Sequence, residues 1–447
     1  MASAAEQLAA SINLGAFAKA TELKQRIWFT LGALVIYRLG TYIPIPGIDA
    51  SILHEIFQQN AGGILGMFDM FSGGALGRMT IFALNIMPYI SASIIVQLLQ
   101  AVSPTLEKLK QEGEAGRKKI NQYTRYGTVA LAAVQGYGIA VGLEGMRAGA
   151  QSAVINPGIF FCAETAITLC AGTVFLMWLG EQITARGIGN GISLIIMAGI
   201  VANLPHALAS TLELGRTGAL STPFIIFFLL MSVAVVIVIV FMERAQRRIL
   251  VQYPKRQQGN RMFGGEATHL PLKINTSGVI PPIFASSLLL LPTTIATFDA
   301  NSANPGWVSR ITAYLTHGTW LYMSLYAALI VFFTFFYTAI VFNPEETADN
   351  LRKYGGFIPG IRPGKNTADY LDYILTRITV LGAIYLAAVC LLPEFLISEY
   401  AVPFYFGGTS LLIVVSVTMD TVAQIHSHLL AHQYEGLIKK ARLRSRR

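Results

Sequence analysis

Charge is what this chain has least of. Asp, Glu, Lys and Arg make up 13% of its 447 residues, where a soluble domain carries about 25%. Hydrophobic residues reach 53%, and the mean hydropathy is +0.54. A globule has to clothe itself in polar surface, so one water-soluble core is excluded and lipid is the solvent for much of the chain. Cysteine is nearly absent: Cys162, Cys170 and Cys390 all lie inside apolar runs. Three thiols cannot all pair and none has metal-ligand spacing, so they read as small buried hydrophobes. A phosphate-binding loop is missing too. Gly364-Lys365 is followed by Asn366, and Pro359 stands where the first glycine of such a loop belongs, so no nucleotide site is legible. The GIGNG run, Gly187 to Gly191, lies between two apolar runs with no βαβ unit around it and reads as a tight inter-helix turn. His426, His428 and His432 do not share one helical face, which argues against a metal centre and leaves no cofactor expected. Glu164, Glu181 and Asp420 fall near span ends, whereas an ion-coupled carrier keeps ionisable groups at mid-depth. No Ser/His or paired-Asp constellation stands at depth, so no enzyme is expected. Met1 to Gln25 lacks the basic, apolar, small-residue succession of a signal peptide.

What the chain has instead is long apolar runs. A spanning helix needs about 20 mostly apolar residues. Ten runs qualify, near Ile27–Ile43, Met79–Val102, Gly127–Leu143, Gly158–Gly180, Gly191–Leu208, Thr222–Met242, Gly278–Ile295, Trp320–Phe342, Ile378–Leu392 and Phe404–Val422. The first, fifth and seventh are weak alone. Charge placement tests the count. Threading the chain through ten spans puts 28 of its 33 Lys and Arg residues on one side, as cytoplasmic loops require. Arg38, Arg78, Arg147, Arg216 and Arg310 are left on the other. Both termini are then cytoplasmic, in a multi-pass protein. The formal net charge of +9 belongs to topology and to anionic lipids of the inner leaflet, so it calls for no DNA or other nucleic acid. Trp28, Trp178, Trp307 and Trp320 fall near span ends, as an interfacial belt would have them. The expected architecture is an all-α polytopic membrane protein of two five-helix halves, residues 1–215 and 216–447.

Three features exceed ten plain helices. The segment 61–76, AGGILGMFDMFSGGAL, is apolar, too short to span and on the sparsely charged side; glycine pairs 62–63 and 73–74 flank it. It reads either as an interfacial helix that merely packs or as a movable stopper hinged on glycine. Next, the second span of each half carries proline and polar residues: NIMPYISAS with Pro88, and GVIPPIFASS with Pro281 and Pro282. Helix breakers at corresponding places in two halves point to an inverted repeat with the working site between them. Ser91 and Gln97 on one of these spans, with Asn275 and Thr276 at the other, supply either ordinary interhelical hydrogen bonds or a polar seam that can part. Finally, the cytoplasmic loops 243–275 and 343–377 are long and basic, and Pro359 and Pro363 stiffen the turn around Arg362. Such an arginine contacts lipid or suits an acidic protein or RNA phosphate.

The motifs IPIPGID (Ile43–Asp49), MFSGGAL (Met70–Leu76), IMPYISASI (Ile86–Ile94), RGIGNGIS (Arg186–Ser193), HLPLKIN (His269–Asn275), GVIPPIFASS (Gly278–Ser287), FNPEETADNL (Phe342–Leu351), GIRPG (Gly360–Gly364) and PFYFGGTSLLI (Pro403–Ile413) resemble the SecY family, in order and with its spacing. The resemblance implies an hourglass pore between the halves, with a lateral gate between spans 2–3 and 7–8. It implies a pore ring of Ile86, Ile90, Ile192, Ile196, Ile283 and Ile413. The plug would lie in residues 62–76, with Ile64, Leu65, Met67, Phe68, Met70 and Phe71 as its apolar side chains. Ser91, Gln97, Asn275 and Thr276 would line the gate seam. Lys255, Arg256 and Arg362 would contact the driver, SecA or the ribosome. SecE and SecG are implied as further subunits, with unfolded secretory and membrane polypeptides as cargo, in a bacterial inner membrane. A secondary transporter with inverted repeats is the alternative reading.

Overall fold

The computed structural model describes residues 21–49, 51–53, 69, 72–145, 147–148, 151–217, 221–253, 256–258, 261–263, 267–299, 319–400 and 408–444. Twelve helices and six short strands lie among them. The helices are α1 (Thr21–Gly40), α2 (Met87–Val102), α3 (Pro104–Gln111), α4 (Glu114–Gly145), α5 (Ile159–Arg186), α6 (Gly191–Arg216), α7 (Thr222–Arg244), α8 (Ile280–Asp299), α9 (Trp320–Val341), α10 (Pro344–Lys353), α11 (Lys365–Tyr400) and α12 (Gly408–Arg444). The strands are β1 (Arg147–Ala148), β2 (Gln151–Ser152), β3 (Gln246–Gln252), β4 (Arg256–Gln258), β5 (Arg261–Phe263) and β6 (Ala267–Lys273). A helix stands on each of the ten expected spans. Seven are long and apolar enough to cross a membrane alone. The pair α2 and α3, bent by 103° at Ser103, makes an eighth. The fold is an all-α, multi-pass membrane architecture. Along α7, Ile226, Phe227, Leu230, Val233, Ile237 and Phe241 all stand exposed, as a helix surrounded by lipid requires. Trp28, Trp178 and Trp320 are exposed; Trp320 opens α9, while Trp28 and Trp178 lie about two turns inside the ends of α1 and α5, and Trp307 lies outside the described residues.

Pro88 of the second span and Pro281 and Pro282 of the seventh start helices and do not break them. α2 is helical only from Met87, with Pro88 in its first turn. The residues before it form successive turns, in which Ala83, Asn85 and Met87 donate backbone N–H groups to the carbonyls of Thr80, Phe82 and Leu84. Pro281 and Pro282 likewise sit in the first turn of α8. Proline lacks an N–H, and the first turn is where none is needed. Each start is preceded by a left-handed residue three positions before the first proline: Asn85, φ +49°, and Gly278, φ +62°. Glycine and asparagine are among the residues that tolerate that conformation best.

The chain divides into two compact units: residues 1–206, 292–310 and 417–447, and residues 207–291 and 311–416. In the first, α4 packs against α5 and α2, and α1 against α5. A core of Ile45, Leu76, Met79, Leu84, Leu143, Phe161 and Leu169 joins α4 and α5 to the loop segments that precede and link them. The IPIPGID segment is pinned there by backbone pairing, Ile45 N–H to Met79 O at 3.0 Å and Asp49 N–H to Ala153 O at 3.0 Å. The GIGNG run is the tight turn expected between α5 and α6. Ile188 N–H donates to Thr30 Oγ1 at 3.1 Å, Gly189 N–H to Gln424 Oε1 at 2.9 Å and Gly191 N–H to Thr184 Oγ1 at 2.9 Å. A Cβ at Gly191 would stand 2.0 Å from Gly180 O, so the two helices can meet there only on glycine.

In the second unit, α9 and α10 pack on α11, and Phe284 of α8 sets its ring edge-on to Phe333 of α9 with centroids 5.7 Å apart. β3 and β6 pair antiparallel from Gln246↔Lys273 to Gln252↔Ala267, and Gln252 bridges on to Phe357. Ile249, Val251, Leu272, Ile358, Leu371 and Ile374 form one core. The two long loops are therefore packed onto the extension of α11. The FNPEE motif is a helix start: Asn343 Oδ1 accepts from the N–H groups of Glu345 and Glu346 at 3.1 and 3.3 Å, and Arg352 and Lys353 close the helix.

Candidate functional site

The candidate residues fall into four groups. Of the six ring isoleucines, Ile86, Ile90 and Ile196 are buried in the first unit and Ile192 half-buried. Ile86 caps the N-terminus of α2 and Ile90 lies one turn on, so both side chains fall on one helix face. Ile192 and Ile196 repeat that i, i+4 spacing at the start of α6, where Asn190 Oδ1 accepts from Ile192 N–H at 3.1 Å. In the second unit, Ile283 is half-buried in the first turn of α8 and Ile413 is buried in α12. All four helices present their isoleucines within the first six residues, where the local turn fixes them.

The plug side chains Ile64, Leu65, Met67, Phe68, Met70 and Phe71 lie outside the described residues, as does Lys255. The C-terminal root of that segment is described and densely bonded. Asp69 O accepts from Gly74 N–H at 2.8 Å and its Oδ1 from Gly77 N–H at 2.5 Å. Ser72 Oγ donates to Asp69 O and accepts from Leu76 N–H. Burial raises the Asp69 carboxyl above its ordinary value, against the opposing pull of the Gly77 N–H and Arg78.

The gate residues are held separately in each unit. Ser91 is buried on α2. Gln97 Nε2 donates to Ser93 Oγ at 3.2 Å, while its buried Oε1 finds no partner. Asn275, 3% exposed, donates through Nδ2 to Glu243 Oε1 at 2.6 Å and to Gly278 O at 3.1 Å, and accepts from Ser277 Oγ at 3.1 Å. Thr276 Oγ1 donates to Lys273 O. Sequence reasoning used Glu243 only as a loop boundary. Nothing in the sequence signals its pairing with Asn275, because 32 residues and a β-hairpin lie between them. Arg256 begins β4, which pairs with β5. Arg362 is exposed at a turn that Thr367 Oγ1 ties by donating to Arg362 O at 2.9 Å. Among the described residues no group of three His, Cys, Asp or Glu side chains could hold a metal.

These features define a polytopic helical membrane protein whose helix starts carry branched aliphatics. The family model for SecY matches residues 80–422. Protein translocase subunit SecY of Escherichia coli (strain K12) is 56% identical over 423 residues, 95% of each chain. The subunit of the same name from Rickettsia typhi is 57% identical over 424 residues, 95% of this chain and 98% of its own. A solved structure described as that of a protein conducting channel superposes with a TM-score of 0.67 at 19% identity, over 92% of this chain and 93% of that one. Sec61 in a canine ribosome-channel complex gives 0.63 at 18%, with the same coverage. The chain belongs to the SecY family.

Proposed function

We propose that this chain forms the pore of a protein-conducting channel in a bacterial inner membrane, with both termini in the cytoplasm. The observation that carries this is identity above one half to protein translocase subunits across 95% of the chain. The channel passes unfolded secretory polypeptides and releases apolar segments sideways between spans 2–3 and 7–8. Ile86, Ile90, Ile192, Ile196, Ile283 and Ile413 form its constriction. A ring of bulky aliphatics dewets when narrow and so blocks ions. It offers no specific hydrogen bond, so any sequence can slide through. The segment 62–76 plugs the outer funnel. Ser91, Gln97, Asn275 and Thr276 line the gate. The unpartnered Gln97 Oε1 supports a seam whose polar groups exchange partners as it parts. A passing segment leaves into lipid when its partitioning is favourable, whereas a Lys or Asp at its centre costs about 2.5–3.5 kcal/mol. Work comes from a partner. Lys255, Arg256 and Arg362 contact SecA or the ribosome, and SecE and SecG complete the complex. Anionic lipids face the basic loops.

The secondary-transporter reading is not favoured: the matched relatives are named as translocase subunits and the solved structures as protein-conducting or ribosome-bound channels. The test is a photocrosslinker at Ile283 and a secretory chain stalled midway, in membranes that hold the full complex. A crosslink requiring both ATP and the signal sequence is expected. A silent Ile283 while the chain still crosses removes it from the ring, and transport of a small solute with no chain crossing returns the transporter.

A further inference from the structure

Arg38 and Arg78 are two of only five basic residues on the sparsely charged side of the membrane, and both act on the same turn. Arg38 Nη1 donates to Gly73 O at 2.9 Å. Arg78 Nη2 donates to the same carbonyl at 3.0 Å, and its Nε to Gly74 O at 2.8 Å. Tyr42 stacks beneath both guanidinium groups, 4.1 Å from Arg78 and 5.4 Å from Arg38. Tyr37, fully buried on α1, donates its hydroxyl to Ser72 O at 3.3 Å. The turn itself is left-handed at both glycines, φ +69° at Gly73 and +81° at Gly74. A Cβ at either would come 2.9 Å from an arginine nitrogen.

A glycine pair left free would be a hinge. This one is not free: both of its carbonyls are taken by cations fixed on α1 and on the turn itself. We propose that Arg38 and Arg78 form a guanidinium clamp that immobilises the Gly73-Gly74 turn at the C-terminal root of the plug. The inference rests on the plug reading above. It gives the two arginines a reason to stand where basic residues are otherwise scarce. The planar fork matters, because Arg78 reaches two successive carbonyls with two nitrogens, which an ammonium cannot copy in the same geometry. Shifting the root would break three charge-assisted hydrogen bonds together, and each such bond is worth at least about a tenfold change in an equilibrium.

The experiment uses the full-length chain in its complex, in vesicles of phosphatidylethanolamine and phosphatidylglycerol, with potassium efflux at rest as the readout. The amount of assembled complex is measured alongside. R38Q/R78Q is expected to raise resting efflux about tenfold or more, with R38Q and R78K in between and assembly unchanged. Should the double variant fail to assemble, the two single variants carry the test through the same graded leak. A deletion of residues 62–68 separates the premises. If the deletion leaks and the arginine variants stay as tight as the unmodified chain, the clamp is overturned and the plug stands. If the deletion itself is tight, the plug reading falls and the clamp with it.

Discussion

Removing the Glu243 carboxylate leaves one of the least exposed polar side chains of the second unit short of a partner. Asn275 is 3% exposed, and its Nδ2 divides its protons between Glu243 Oε1 at 2.6 Å and Gly278 O at 3.1 Å. The first is a short hydrogen bond to a carboxyl oxygen, and leaving a buried donor such as this unpaired costs about 1–3 kcal/mol. Glu243→Ala therefore costs about that much, and Glu243→Gln recovers part of it, since an amide oxygen still accepts. Asn275→Ala costs a similar amount because it strips partners from Glu243 and Ser277 together. The two changes are not additive, because each removes the same Asn275–Glu243 hydrogen bond. A double-mutant cycle should return a coupling of about 1.5 kcal/mol or more. The assay is unfolding of the solubilised complex in mixed micelles, followed by thiol labelling of Cys390, which is 2% exposed in the same unit. A coupling below about 0.5 kcal/mol, the noise expected of independent sites, would refute the view that this bond anchors the start of α8.

Three further outcomes follow from named contacts. Gly191→Ala drives a methyl to within 2.0 Å of Gly180 O and should abolish stable assembly, whereas Gly32→Ala, with nothing within 4 Å, should leave stability unchanged or up to about 1 kcal/mol higher; pulse-chase abundance of the two variants decides it. Asp69→Asn keeps an acceptor for the Gly77 N–H while removing a buried charge. Burial raises the folded carboxyl pKa, so the fold penalises the ionised form and stability rises as pH falls through that raised value. The variant should thus be more stable than the parent near pH 7.5 and lose that advantage toward pH 4, and an advantage growing with acid would contradict the shift. Arg362→Ala, exposed at its turn, should leave the unfolding free energy within about 0.5 kcal/mol of the parent's while weakening SecA or ribosome binding, measured by co-sedimentation with membranes.

The frame of this protein was legible because lipid imposes a blunt rule: about 20 apolar residues per span, with the basic residues on one side. Every expected span carries a helix, and the GIGNG run is the turn its surroundings implied. The limits of that rule show at Met79–Met87. Composition marks this stretch as apolar and therefore as span, yet Pro88 sets the first turn of α2 and the chain before it folds as consecutive turns. Hydropathy cannot separate helix from buried turn when both are dry. The two long loops gave a different difficulty. They read as basic and rich in Gly and Pro, but Ile249, Val251, Leu272 and Ile358 are spaced along separate segments and form a core only after β3 and β6 have paired.

Arg38 and Arg78 mark the boundary between the two kinds of information. Sequence counted them as exceptions to a charge rule and could go no further, since forty residues separate them and neither motif announces a partner. Structure brings both guanidinium groups to one glycine carbonyl. The same holds for Glu243 and Asn275. What the sequence determined by itself is solvent, the apolar spans and family, because these depend on composition and on motifs read locally. What only tertiary structure decided is which polar atoms meet. A hydrogen bond is satisfied within about 3 Å and in one direction, and no linear pattern specifies that distance between residues so far apart in the chain.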